Sequence, residues 1–297
     1  MKFFFANPYI QLLRVNHWFK NLFLLLGVFV AAWYVRIDWL QIEVLAKILG
    51  ALLIASLVSA ANYVINQLAD YRYDFLHESK KERPIPSGKV SIRNSIFIIF
   101  MLIFISFSLA YIFFSNEFLI TLICFGLAGI FYNIAPIRLK DIPYVDVLAE
   151  SINNPIRFLL GWFVLLQVTL PSFSILLLAW SVGAILMTAK RYDELLFFGK
   201  KLIPYRATFS KYSLQSLRVM LYLYSVISAV LFMLVSFERR PVLLFSWPFL
   251  LIYLFWLDRK IITGQAKARL IEKFVLTQKF ILFTFLLLFL ITILVFS

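Results

Sequence analysis

Apolar runs of about 20 residues recur along this chain, each long enough to cross the roughly 30 Å hydrocarbon core of a bilayer as a helix. In hydrocarbon, backbone N–H and C=O groups are satisfied only within a helix or around a closed barrel. Barrel strands are segments of about 10 residues that alternate apolar with polar, whereas these runs are continuous. The expected fold class is therefore all-α: a polytopic membrane bundle of about nine transmembrane helices. The spans fall near 21–36, 44–65, 95–114, 117–135, 145–169, 172–189, 216–236, 241–257 and 275–296. A hydrophobic content of 63% and a mean hydropathy of +0.90 exclude a soluble globular domain.

A net charge of +14 raises the question of nucleic acid, and the placement of the charges answers it. Of the 29 lysines and arginines, Arg157 lies within a span, and Arg36, Lys47, Arg239 and Arg240 lie on one side of the membrane. All the others share the side that holds the amino terminus and the 66–94 loop. That asymmetry is the positive-inside pattern, so the amino terminus is expected in the cytoplasm and the carboxyl terminus outside. Anionic membrane lipids account for the basicity, and no nucleic acid is required. The single Cys124 rules out a disulfide framework, and no cleavable leader is expected. The long polar loops, 66–94, 190–215 and 258–274, put the chemistry at the cytoplasmic face. The last of them, with Arg259, Lys260, Lys267, Arg269 and Lys273, reads as a membrane-surface segment.

One stretch breaks the apolar pattern. In NYVINQLADYRYDFLHESKKERPIPSGK, residues Asn62, Asn66, Asp70 and Asp74 recur every four positions, which on a helix makes one polar stripe. Two carboxylates one turn apart repel unless a positive charge lies between them. Mg²⁺ suits that place, because it takes one or two carboxylates and completes its shell with water and phosphate oxygens. The basic segment that follows, with Lys80, Lys81, Arg83 and Lys89 among prolines and a glycine, suits a diphosphate. The plainer alternative is a polar helix end with snorkelling lysines, which polar groups at membrane depth speak against.

Three further places carry candidates. Arg14, His17, Trp18, Lys20 and Asn21 precede the first span, where an interfacial belt competes with Lys20 and Asn21 as ligands for an anion. Arg157 sits inside the fifth span, and an intramembrane arginine is a functional candidate by default. It would meet a phosphate or, for stability alone, pair with Asp146 or Glu150. On one continuous helix, Asp146, Glu150, Asn153, Asn154 and Arg157 would form a second stripe. Lys190, Arg191, Tyr192, Asp193 and Glu194 close the sixth span, where a positive cap is the ordinary reading.

The order NxxxDxxxD at Asn66, Asp70 and Asp74, followed by KKERPIPSGKVS, resembles the first aspartate-rich motif and loop of the UbiA superfamily of intramembrane prenyltransferases. The resemblance covers the whole chain, 1–297, as one transmembrane transferase domain. Many members carry a second aspartate-rich motif, whereas this chain has RLKDIPYVDVL, whose Asp141 and Asp146 are five apart and so about 140° apart around a helix. With WFKN, Arg157 and KRYDEL, the chain is most similar to the branch of decaprenyl-phosphate phosphoribosyltransferases.

That resemblance implies that Asn66, Asp70 and Asp74 hold Mg²⁺ on a donor diphosphate, with Asp70, Asp74 and Arg157 catalytic. Lys20, Asn21, Asn62, Lys81, Arg83, Lys140, Asp146, Lys190, Arg191 and Glu194 would bind donor or acceptor. The reaction implied moves 5-phosphoribose from phosphoribosyl diphosphate to a polyprenyl phosphate in a bacterial inner membrane, with no obligate protein partner. An already ionised lipid phosphate needs no strong base. The alternative within the family, transfer of a prenyl chain to an aromatic acceptor, requires Asp141, Asp146 and Asp193 to converge as a second metal site. A transporter of an anionic solute would show broken helices in two matching halves, and no internal repeat is visible.

Overall fold

The computed structural model describes residues 7–35, 41–75, 80–199, 203, 207–263, 282–284 and 286. Every regular element among them is helical: α1 Pro8–Leu13, α2 Leu24–Val35, α3 Ile42–Phe75, α4 Ile92–Phe113 and α5 Asn116–Asn133. Then follow α6 Val145–Ser151, α7 Asn153–Leu165, α8 Phe173–Phe198, α9 Leu214–Arg239 and α10 Trp247–Ile262. A 3-10 segment, Val15–Phe23, joins α1 to α2. Seven helical stretches among the described residues are long and apolar enough to span a membrane. Most of the expected span 275–296 and of the basic loop 258–274 lies outside the described residues.

Two expectations change. The stripe helix does not stop at residue 65 but runs on to Phe75, and 34 residues at 1.5 Å each reach about 50 Å, well beyond the hydrocarbon core. Asp70 and Asp74 therefore ride on a helical extension, not on a loop. The expected span 145–169 is not one helix. It divides at Ile152 into α6 and α7, because Pro155 has no N–H for the Ser151 carbonyl and its ring would strike that carbonyl. The expected stripe of Asp146, Glu150, Asn153, Asn154 and Arg157 is thus divided between two helices.

The chain forms two compact units: residues 1–140 with 152–171, and residues 141–151 with 172–297. In the first, α3 packs against α4 and α5, and α2 against α7. The α2–α7 crossing is close because both sides carry glycine: a Cβ on Gly27 would lie 1.9 Å from the Phe158 carbonyl oxygen, and one on Gly161 equally near that of Leu24. In the second unit α8 and α9 pair along their length, and α6 lies on α8. Ala184, Ile185, Leu217, Leu221 and Leu257 fill the core between its helices.

Candidate active site

The stripe on α3 is built as its spacing requires, and the first unit folds other polar groups onto it. Asn66 donates through Nδ2 to Oδ1 of Asn133 at the end of α5, and Asn133 in turn donates to the Gly129 carbonyl at 2.8 Å. These bonds fix both amides and leave the Asn66 Oδ1 on the stripe. Asp70 accepts at Oδ1 from Lys140 Nζ at 2.7 Å and from Arg138 Nη2 at 2.8 Å. Lys140, only 5% exposed, also reaches Asn133 Oδ1 at 3.0 Å. Arg138 takes a positive φ of 32° and secures its guanidinium on the Asn133 carbonyl at 3.0 Å.

One turn on, buried Asp74 pairs with Arg83 at 2.5 Å and faces Lys80 at 3.9 Å. The segment RPIPSG holds Arg83 there. Ser87 binds the Arg83 carbonyl through its N–H at 3.0 Å and its hydroxyl at 2.7 Å, and Val90 N–H closes on the Pro84 carbonyl. Ile85 and Val90 anchor the loop in a cluster with Leu12 and Val64. Gly88, at φ 74°, takes the left-handed conformation that favours glycine. Lys81 is exposed on this loop.

A third group lies on the same face nearer the middle of α3. Asn21, 1% exposed, donates to Ser56 Oγ at 3.0 Å and accepts from Ser59 Oγ at 3.1 Å and from Arg157 Nε at 2.9 Å. The Arg157 guanidinium lies 5.1 Å from the Phe125 ring centroid and reaches Asn154 Oδ1 at 3.5 Å. Asn62 points to α5, donating to the Phe125 carbonyl at 3.0 Å, with its amide against Gly129. Asn62 is thereby held against α5, with its Oδ1 buried and without a hydrogen-bond partner among the described residues. Lys20 is half-buried on the 3-10 segment.

The second unit has its own network. Arg191, fully buried, donates to Asp146 at 2.8 Å, Glu194 at 2.9 Å and Glu150 at 3.3 Å. Tyr212 donates its hydroxyl to Asp146 and accepts the Tyr144 N–H at 2.9 Å. Burial and the Asp146 carboxylate push the Tyr212 phenol above its usual range. Arg191 and Asp146, expected as substrate ligands, thus satisfy one another. Lys190 is half-buried beside Arg191. Asp193, two positions on and turned away from Arg191, is buried with neither carboxylate oxygen hydrogen-bonded.

The oxygen donors of Asn66, Asp70 and Asp74 fit a hard divalent cation, and both cationic partners of Asp70 engage Oδ1. Among the described residues no three His, Cys, Asp or Glu side chains form a metal-holding group. A metal held by this stripe would need further oxygens from substrate or water to complete its shell. Asp141, Asp146 and Asp193 do not assemble as a second metal site among the described residues. Sequence reasoning passed over Arg138 and Asn133. The run YNIAPIRLK held the signal, an asparagine and two basic groups beside a turn.

A family model described as the UbiA prenyltransferase family matches residues 21–289. The chain belongs to this family. Over 82 residues it is 34% identical to decaprenyl-phosphate phosphoribosyltransferase of Mycobacterium tuberculosis, covering 27% of this chain and 26% of that protein. Over 103 residues it is 31% identical to 4-hydroxybenzoate octaprenyltransferase of Psychromonas ingrahamii, covering 35% of each. The chain's matches thus span about a third or less of these curated relatives. A UbiA homologue from Archaeoglobus fulgidus, solved with DMAPP and Mg²⁺, shares the fold at a TM-score of 0.71 and 20% identity, covering 94% of this chain and 98% of that one. With its apolar helices, this UbiA protein is an integral, multi-pass membrane protein.

Proposed function

We propose that this protein is a Mg²⁺-dependent membrane transferase that moves 5-phosphoribose from phosphoribosyl diphosphate to a polyprenyl phosphate, at the cytoplasmic face of a bacterial inner membrane. The observation that carries the choice is the closed pairing of Asp146 with Arg191 and Tyr212. A donor gripped by two acidic metal sites needs that carboxylate open. Asp146 and Arg191 are both fully buried against one another, whereas Arg83 and Arg138, the guanidinium partners of Asp74 and Asp70, are 24% and 20% exposed and can turn to a ligand. The stretch of 34% identity to the mycobacterial phosphoribosyltransferase agrees.

In this reading Asn66, Asp70 and Asp74 hold Mg²⁺, which supplies electrostatic stabilisation of the departing diphosphate. Arg83, Lys80, Arg138 and Lys140 sit on the two aspartates and pass to phosphate oxygens as the donor brings in negative charge. Their forked or multiple donors suit that exchange. Lys81 and Lys20 add positive charge from the loop and from the start of the first span. Arg157, oriented by Asn21, faces the same stripe as a counter-charge. The lipid phosphate attacks in its ionised form, so no side chain has to take up a proton.

Transfer of a prenyl chain from its diphosphate is the second reading, favoured by the likeness to 4-hydroxybenzoate octaprenyltransferase. The test is transfer by the purified chain in detergent with Mg²⁺, labelled phosphoribosyl diphosphate and a polyprenyl phosphate. The expected result is a labelled lipid that vanishes with chelator and with Asp70→Ala. Diphosphate released instead from a prenyl diphosphate with an aromatic acceptor, in an Asp70-dependent manner, refutes the phosphoribosyl reading.

A further inference from the structure

Within the first unit, a cavity of ≈ 610 Å³ lies between the amino-terminal turn, α3 and the RPIPSG loop. Its lining includes Arg14, Asn16, Gln67, Glu82 and Arg83. Arg83 belongs both to this wall and to the Asp74 ion pair, so the cavity adjoins the carboxylate stripe. Arg14 occupies the left-handed region at φ 49° and ψ 46°, where its N–H caps α1 on the Gln11 carbonyl. A non-glycine residue held there costs on the order of 1 kcal/mol and invites a functional reason. The turn sets the Arg14 guanidinium 5.4 Å from the Tyr63 ring centroid, at the cavity wall.

The chemistry of the lining is mixed in a specific way. Two guanidinium groups offer the forked donors that phosphate oxygens take up. Gln67, 1% exposed, spends its Nε2 on the Leu12 carbonyl at 2.9 Å and the Tyr63 carbonyl at 3.3 Å. That fixes its amide with Oε1 as the remaining acceptor. With the Glu82 carboxylate at the rim, acceptors and cations line one space. An inorganic anion has no use for the acceptors, and Ile10, Val15 and Pro84 give the wall an apolar part on which a carbon skeleton can rest. A phosphorylated polyol uses both.

We propose that this cavity binds a phosphate monoester carried on a hydroxylated, sugar-like body, with Arg14 and Arg83 on the phosphate and Gln67 and Glu82 on hydroxyls. The inference rests on the phosphoribosyl reading and deepens it, assigning the cavity to the end of the donor remote from the diphosphate.

The test is calorimetric titration of ribose 5-phosphate into the purified full chain in detergent, alongside inorganic phosphate, and inorganic diphosphate with Mg²⁺. Ribose 5-phosphate should bind more tightly than inorganic phosphate. Arg14→Gln should weaken it about tenfold or more, the worth of a charge-assisted contact, and Gln67→Leu should weaken it less. Diphosphate binding should stay within about twofold in both variants, since its carboxylate stripe is untouched. Arg14→Lys, which keeps the charge and loses the fork, serves if Arg14→Gln does not fold. Ribose 5-phosphate that fails to bind, binds no better than phosphate, or binds the Arg14 variants unchanged overturns the proposal. Failure of this inference alone leaves phosphoribosyl transfer intact, with an unaltered KM for the donor in Arg14→Gln. Failure of the functional reading alone abolishes that transfer while ribose 5-phosphate binding stays sensitive to Arg14.

Discussion

Replacing Asp70 by asparagine keeps the shape of the side chain and removes its charge, which separates what the carboxylate does for the fold from what it does for a metal. Lys140 and Arg138 sit 2.7 Å and 2.8 Å from Asp70 Oδ1, with side-chain exposures of 6% and 20% against 22% for the aspartate. At an effective dielectric near 20, each pair carries about 6 kcal/mol of gross attraction. Desolvation offsets most of this, so the measurable cost of stripping one partner from a buried pair is about 3–5 kcal/mol. At about 2 °C per kcal/mol for a chain of this size, Asp70→Asn should melt roughly 6–10 °C lower in detergent without ligand. Adding Lys140→Met removes the stranded buried charge and should restore about half of the loss or more, while Mg²⁺-dependent diphosphate binding stays abolished. Thermal melting by intrinsic fluorescence and titration calorimetry read the two properties separately. A double variant no more stable than Asp70→Asn, or an Asp70→Asn protein that melts like the parent, refutes this account.

Arg191→Leu should cost about 3–5 kcal/mol, because it leaves Asp146 buried without its cation, and the loss should show in melting. Gly161→Ala, whose Cβ would meet the Leu24 carbonyl oxygen at 1.9 Å, should abolish folding, whereas Gly126→Ala, with its nearest neighbours at 3.9 Å, should express and melt like the parent. Tyr212 has a phenol pKa raised in the folded state, so its contribution is present below about pH 10, the unfolded value, and is lost as pH rises through the folded one. Tyr212→Phe should therefore lower stability near neutrality by about 1 kcal/mol and flatten its decline above pH 10, read by melting across alkaline buffers.

The apolar runs alone dictated the all-α membrane class, because a backbone in hydrocarbon has few ways to satisfy itself. The four-residue spacing of Asn66, Asp70 and Asp74 likewise placed them on one face, since that geometry is local to the helix. What lay opposite them was not local. Lys140 reaches Asp70 across 70 positions, Arg138 reaches it across 68, and Arg157 finds Asn21 across 136. Such partners are chosen by where helices cross, and the α2–α7 crossing depends on glycines that no charge pattern reveals. The same holds for the division at Ile152, which a run of apolar residues masks although Pro155 encodes it. It holds for Asp146 too, whose partners Arg191 and Tyr212 lie 45 and 66 positions away, because a buried carboxylate takes whatever cation packing brings within reach.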